Sequence, residues 1–290
     1  MGDCGTQKKL CCFVVLCLLV AGITGGAIGI YKWHHSGLNR WHGRGSTADF
    51  QKIIQERCDD YTQQIRPRAR SGNCQGIQQA FTSAFISKDP CKATKEDYKP
   101  LLDLAYPTVP CDKAVFWSKT KELAHEYAKR RGLLTLEDTL LGSLADGLSW
   151  CGEPGSPDLN YQSCPDWKKD CRTNYFSVFW EALSERFAEN VCGTVQVVLN
   201  GSIENAFDKM SIFGRVEAPN LSPTVTLKAW LVHDPGKPPS DSCSGPSIKE
   251  LESILNQRSV RFICRDNLRR PPSFCISAHR PSMSVCLSFF

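Results

Sequence analysis

Apolar positions along the chain change their spacing from one region to the next. Residues 10–30 are apolar or small without a single formal charge, long enough to cross a hydrocarbon layer of ~30 Å. From there to residue 191 the apolar positions recur at mostly helical intervals. Thr47 is placed to cap a helix carrying Phe50, Ile53, Ile54, Tyr61 and Ile65, and a second helix over 75–86 puts Ile77, Ala80, Phe81, Ala84 and Phe85 on one face. Pro90, Pro100, Pro107 and Pro110 punctuate a stretch that reads as loop. A short β-like run at 114–117 precedes a helix over 119–131. Thr135-Leu136-Glu137-Asp138 then reads as a capping box, opening a helix with Leu140, Leu141, Leu144 and Leu148 inward. Residues 152–174, rich in Gly, Pro, Asn and Cys, read as a stapled loop, and 176–190 return to helix. After Cys192 come short apolar runs at 195–199, 224–232 and 260–263. The last two are separated by a helix that Ser247 is expected to cap, carrying Ile248, Leu251, Ile254 and Leu255. That order favours a parallel sheet. The fold class is therefore α/β (α+β): a helical N-terminal part and a C-terminal part with a small parallel sheet flanked by helices. The expected organisation is a tail (1–9), an anchor (10–30), a stalk (31–46), a helical subdomain (47–110 and 135–191) and an α/β subdomain (111–134 and 192–290).

Composition places the outer region. The chain is 41% hydrophobic, 10% aromatic and 22% charged, as an ordinary globular protein is. Its net charge of +5 is spread out, and the clusters at Arg66/Arg68/Arg70 and Arg265/Arg269/Arg270 lack interleaved aromatics, which argues against nucleic acid as a partner. A cleaved signal peptide has a shorter apolar core of ~7–15 residues, so residues 10–30 read as an uncleaved signal-anchor. Lysine and arginine counts on its two sides do not orient it. The cysteines do. Of sixteen, Cys4, Cys11, Cys12 and Cys17 lie in or before the apolar run; the other twelve lie beyond it with no CxxC pair. An even set of that kind reads as disulfides in an oxidising compartment. The larger part of the chain thus faces outward, as a single-pass type II plasma-membrane protein. The acceptor sequences at Asn200 and Asn220 agree with glycosylation there. Met1-Gly2 and Cys11/Cys12 match lipidation patterns that a spanning helix does not need. The Gly22/Gly26 and Gly25/Gly29 spacings suit a homodimer of anchors.

Absent motifs narrow the chemistry. There is no GxGxxG between a strand and a helix, no Walker loop and no GxSxG elbow. His125-Glu126 begins like a zinc-protease motif, but residue 129 is Lys, so neither a metal site nor a metal cofactor is expected. What remains are carboxylates and tryptophans. Trp117-Ser118-Lys119, the 135–139 stretch, Phe213–Glu217 as FGRVE, and the helix with Trp180 and Ser184 four residues apart combine them with polar groups. Each alone has a plainer reading as core, helix start or solvent-exposed surface.

Together, Trp117-Ser118, TLEDTLLGSLAD (135–146), SWCGE (149–153), YQSCPDW (161–167), SVFW (177–180), the Asn200-Gly-Ser turn and SIFGRVE (211–217) resemble the ADP-ribosyl cyclase/cyclic ADP-ribose hydrolase family. The resemblance runs from about residue 49 to 275, and the anchor brings it nearest to the family's type II membrane branch. It implies an ectoenzyme that cleaves the nicotinamide–ribose bond of NAD to ADP-ribose and some cyclic ADP-ribose, and hydrolyses the cyclic product; NAD is substrate, so no cofactor is required. It implies that Glu217 is the catalytic glutamate, that Trp117 and Trp180 form the walls of the pocket, and that Glu137 biases the products. Asp146, Ser118, Ser184 and Phe213 match further pocket positions, as does Lys119. The implied disulfides are Cys58–Cys74, Cys91–Cys171, Cys111–Cys192, Cys151–Cys164, Cys243–Cys264 and Cys275–Cys286. Cys111 and Cys192 have been tied to activity in the family, but a structural staple is the better expectation.

The chain departs from the family's usual pattern at Ile212 (commonly Thr), Lys119 (commonly Arg) and Gly147 (often a second Asp). Lysine at 119 exchanges a two-pronged phosphate contact for a point charge. These changes are expected to alter affinity or product ratio and not the chemistry. The alternative is a non-catalytic receptor or adhesion ectodomain that keeps the fold and binds a surface protein.

Overall fold

The computed structural model describes residues 41–65, 73–234 and 238–267, together with the two short strands at 275–277 and 284–286. The predicted anchor and tail lie outside these residues, as does all of the stalk but its end. Among the described residues no helix is long and apolar enough to cross a membrane. The described residues from His42 onward form one compact unit.

Helices α1 (Phe50–Asp60), α2 (Cys74–Ser83) and α3 (Lys95–Leu104) precede strand β1 (Val115–Ser118) and helix α4 (Lys121–Arg131). A single 3₁₀ turn at Leu136–Asp138 leads into α5 (Leu140–Ala145), and α6 (Tyr175–Asn190) follows the stapled loop. Then come β2 (Thr194–Asn200), β3 (Thr226–Val232), α7 (Pro246–Gln257) and β4 (Arg261–Asn267). The four strands form a fully parallel sheet in the order β1-β2-β3-β4, as the strand–helix–strand pattern predicts. The strands β5 (Cys275–Ser277) and β6 (Ser284–Cys286) form a separate antiparallel pair, with Cys275 opposite Cys286 in the backbone register.

Several local expectations are corrected. Thr47 does not cap α1; it exchanges backbone and side-chain hydrogen bonds with Ser149, and Asp49, in the left-handed region at φ 53°, starts the helix instead. The proline-punctuated stretch contains α3, because a Thr94/Asp97 capping box secures its start and overrides Pro100 inside it. Ser247 does not cap α7, which opens at Gly245 with Pro246 in the first turn. The Ser247 hydroxyl instead accepts from the Phe207 N–H and donates to the buried Asp241 carboxylate.

The core of the helical part is a cluster of aromatic rings. Trp150, Phe50, Phe81, Phe85, Tyr98 and Phe179 are fully buried, with Phe81 stacked on Phe179 at 5.0 Å between centroids. Its one polar path is satisfied: the Trp150 indole N–H donates to the Tyr98 hydroxyl, which donates to the Tyr175 carbonyl. Five disulfides, Cys58–Cys74, Cys91–Cys171, Cys111–Cys192, Cys151–Cys164 and Cys243–Cys264, join the pairs the resemblance implies. The side chains of Cys275 and Cys286 lie outside the described residues.

Gly142, in the first turn of α5, sits directly beneath the Leu136–Asp138 turn. A Cβ there would collide with the Leu136 carbonyl oxygen and press on the Glu137 Cα. Gly142→Ala is therefore expected to lower stability by about 1–3 kcal/mol, read as a fall in thermal midpoint; an unchanged midpoint would show that the turn can yield.

Candidate active site

A cavity of about 900 Å³ opens at the carboxyl end of the parallel sheet, between the β1–α4 connection, the 136–138 turn, α6 and the turn that follows β2. This is where open parallel sheets characteristically hold ligands. Trp117, Ser118, Lys119, Glu137, Asp146, Trp180, Ser184, Phe213 and Glu217 all line it.

Glu217 ends a single turn of π-helix, Phe213–Glu217. Gly214 lets this turn lie against the backbone of Asp208 and Lys209, where a Cβ would clash. Phe213 anchors the turn below, against Phe116 and Phe207. The guanidinium of Arg215 holds it sideways to Glu181 on α6. The result is a carboxyl that is only 6% exposed. Burial pushes its pKa up to about 8; the Ser184 hydroxyl pulls in the opposite direction, and the negative charge of Glu137 adds to the rise.

Glu137 is set differently. In the 136–138 turn it is Asp138, not Glu137, that accepts from the Thr135 N–H and hydroxyl as the capping-box partner. Glu137 is left to point into the cavity, where its Oε2 accepts from the Trp117 indole N–H at 3.3 Å and lies 3.2 Å from His125 Nε2. Burial raises its pKa, but His125 and Trp117 outweigh burial and the net shift is downward. The cavity thus holds two carboxyl groups whose surroundings push their proton affinities apart.

Trp180 and Ser184 share one face of α6, and Trp180 packs edge-on against Phe179 and Phe176. Trp117 is the third residue of β1, half-buried beside Glu137. Lys119 leaves the strand in the left-handed region, at φ 59°, and its ammonium lies 3.2 Å from Asp208. Asp146 pairs with Lys121 at 2.5 Å. Ile212 and Gly147 both line the cavity, and Gly147, at φ 74°, holds a conformation that suits glycine better than aspartate. Arg57 donates to the carbonyls of Ser143, Leu144 and Asp146 and fixes that loop.

Not everything singled out in the sequence meets here. Cys111 and Cys192 are joined to each other and do not line the cavity, so neither offers a free thiol. Asn200 and Asn220 also stand apart from it; the Asn220 side-chain amide donates to the Val216 carbonyl. Sequence reasoning missed Lys121, Tyr175 and Phe176, whose spacing reads as ordinary helix. It also missed a strap over 43–47 whose Gly43, Arg44, Gly45 and Thr47 form part of the wall. The strap is pinned by backbone hydrogen bonds to Cys164, Asn160 and Ser149, and Gly45 lies so close to the Tyr161 carbonyl that no Cβ fits. Among the described residues no group of side chains is suited to hold a metal ion.

Comparison with known proteins agrees with this geometry. Residues 47–286 match the family model described as ADP-ribosyl cyclase. The chain is 45% identical over 283 residues to the rabbit (Oryctolagus cuniculus) ADP-ribosyl cyclase/cyclic ADP-ribose hydrolase 1, covering 97% of this chain and 93% of the rabbit protein. It superposes with a TM-score of 0.78 on a solved structure of CD38 with a conformationally flexible covalent enzyme–substrate complex as its subject; identity is 79%, covering 80% of this chain and 96% of that one. The TM-score is 0.76, at 59% identity, with porcine CD38 holding a covalent intermediate, ribo-F-ribose-5′-phosphate, covering 79% of this chain and 100% of that one. Matched by the family model over residues 47–286 and by the rabbit protein over nearly its whole length, the chain belongs to the ADP-ribosyl cyclase family.

Proposed function

We propose that the cavity is the site at which this chain cleaves the nicotinamide–ribose bond of NAD, with Glu217 carrying the chemistry. The activity is that of its family, an ADP-ribosyl cyclase and cyclic ADP-ribose hydrolase. The observation that supports the residue assignment best is the almost complete burial of Glu217 in an aromatic-walled cavity that also holds a second, ionised carboxylate. A surface used only for adhesion has no need of such a group.

Nicotinamide bound to ribose is a cation and departs as a neutral molecule, so no proton donor is required. Positive charge instead grows on the ribose carbon. A carboxylate held against it, with little water to screen it, stabilises that charge strongly. The approach of the cationic substrate favours ionisation of Glu217, which burial alone opposes. The covalent intermediate of porcine CD38 is in keeping with a protein group meeting the ribose carbon, and in this chain we give that part to Glu217. Trp117 and Trp180 offer indole faces to the pyridinium and the base, with cation–π energies of about 0.5–2 kcal/mol. Ser184 orients the Glu217 carboxyl; Ser118, Lys119 and Asp146 serve the ribose and phosphates, and Phe213 supports the floor. Water then yields ADP-ribose, and the folded-back adenine yields the cyclic product. Glu137 is proposed to favour water.

The setting follows from the sequence: residues 10–30 as a type II signal-anchor, the catalytic region outside the cell, Asn200 and Asn220 as glycosylation sites, and anchors that can pair. Five disulfides support an oxidising compartment. We further propose that 47–110 with 135–191, and 111–134 with 192–290, act as two subdomains.

Glu217→Gln in the purified region downstream of residue 40 is expected to abolish nicotinamide release while the fold persists; normal turnover would remove Glu217 from its role. The same variant tests the burial cost. Between 4.5 and about 8 the folded protein keeps a proton on Glu217 that the unfolded chain has lost, so stability from this group declines as pH rises through that window. The thermal midpoint of Glu217→Gln should therefore match that of the unaltered protein near pH 4 and exceed it by about 5 °C or more at pH 8; a pH-independent difference would contradict the raised pKa. Glu137→Ala should raise the cyclic fraction several-fold in chromatographic product analysis, and an unaltered ratio would count against its part in product selection.

A further inference from the structure

Glu137 has a neighbour outside the cavity. His125 lies on α4 one turn beyond Lys121; it does not itself line the cavity, but it reaches the Glu137 carboxylate. Its Nε2 is 3.2 Å from Oε2, the oxygen that also accepts the Trp117 N–H. The imidazole stands edge-on to the Trp117 indole, with centroids 6.4 Å apart. Nε2 is sealed from solvent, and it forms no hydrogen bond there besides this ionic contact. The strength of the contact therefore depends on whether the ring carries a charge.

The groups around His125 favour that charge. The Glu137 carboxylate raises its pKa above the ordinary 6.5, against the effect of burial; Asp138, from the same turn, adds to the rise, and Lys121 opposes it. Lys121 is itself engaged with Asp146. Glu217 faces Glu137 across the cavity. Its own titration acts on nicotinamide departure, a step common to both products, and so cancels from their ratio at initial rates, before the cyclic product is itself hydrolysed.

We infer that His125 is a positioning residue for product selection: as the imidazolium it pins the Glu137 carboxylate beside Trp117 in the arrangement that favours water, and when it loses its proton the carboxylate is released and ring closure gains. This rests on the proposed part of Glu137. Bond cleavage at the ribose carbon is unchanged by it; only the competition between two nucleophiles for that carbon is altered.

The test is the ratio of cyclic to linear product formed from NAD between about pH 5 and pH 9, for the unaltered protein, His125→Ala, His125→Gln, Glu137→Ala and the Ala/Ala double variant. A ratio is a property of the molecules that turn over, so loss of folded protein does not distort it. The unaltered protein should show a cyclic fraction that climbs several-fold with pH. His125→Ala should be high and flat, and His125→Gln flat because an amide does not titrate. The histidine substitution should add nothing once Glu137 is gone. If either His125 variant keeps the original pH dependence while Glu137→Ala changes the ratio, the inference is overturned and the part of Glu137 stands. If Glu137→Ala leaves the ratio unchanged, both fall together.

Discussion

A carboxyl group held away from water among aromatic rings is unstable as an anion, because its charge has lost hydration and gained little in return. Glu217 is in that position, with one hydroxyl and, among the described residues, no cation to compensate. Much of the surrounding structure keeps it there. Gly214 permits the close turn, Phe213 is wedged between Phe116 and Phe207, and Arg215 ties the turn to α6. If any of these yielded, the carboxyl could swing to solvent and ionise freely. Held in place, it would be relieved by positive charge arriving beside it. In the proposed reaction that relief would be greatest at the stage where the charge is largest, the differential binding that accelerates a reaction.

The second carboxyl shows how close neighbours divide labour. Asp138 satisfies the start of the 3₁₀ turn, so Glu137 is not spent on local structure. Trp117 and His125 then hold Glu137 ionised, and its charge helps keep Glu217 protonated. Two acids of the same type are thereby separated in proton affinity by their surroundings, and the separation could not be read from the residue type alone.

The legibility of the chain follows the range of the interactions involved. Strands β2, β3 and β4 and helices α2 and α6 show in the sequence because their apolar periodicity is local and strong, and the parallel sheet follows from their order. Helix α3 does not show, because Pro100 outweighs a capping box four residues wide that is mostly polar. Thr47 and Ser247 are sound capping residues by type, yet both are drawn to partners distant in sequence, Ser149 and Phe207. The site is legible through motif resemblance, which gathers Trp117, Glu137, Trp180 and Glu217 before any geometry is known. The opposing proton affinities of the two acids, the Lys121–Asp146 pair and the place of His125 arise only from packing between separate segments. The same holds for the wall over 43–47.

That wall has a practical side. Its residues are the last ones of the predicted stalk together with Thr47, so the ligand chamber is partly bounded by the first few residues of the folded region, held by main-chain bonds to Cys164, Asn160 and Ser149. A shedding protease that cut the stalk before residue 41 would release an intact chamber. A cut only a handful of positions later would free a protein with its disulfides in place and one side of the chamber missing.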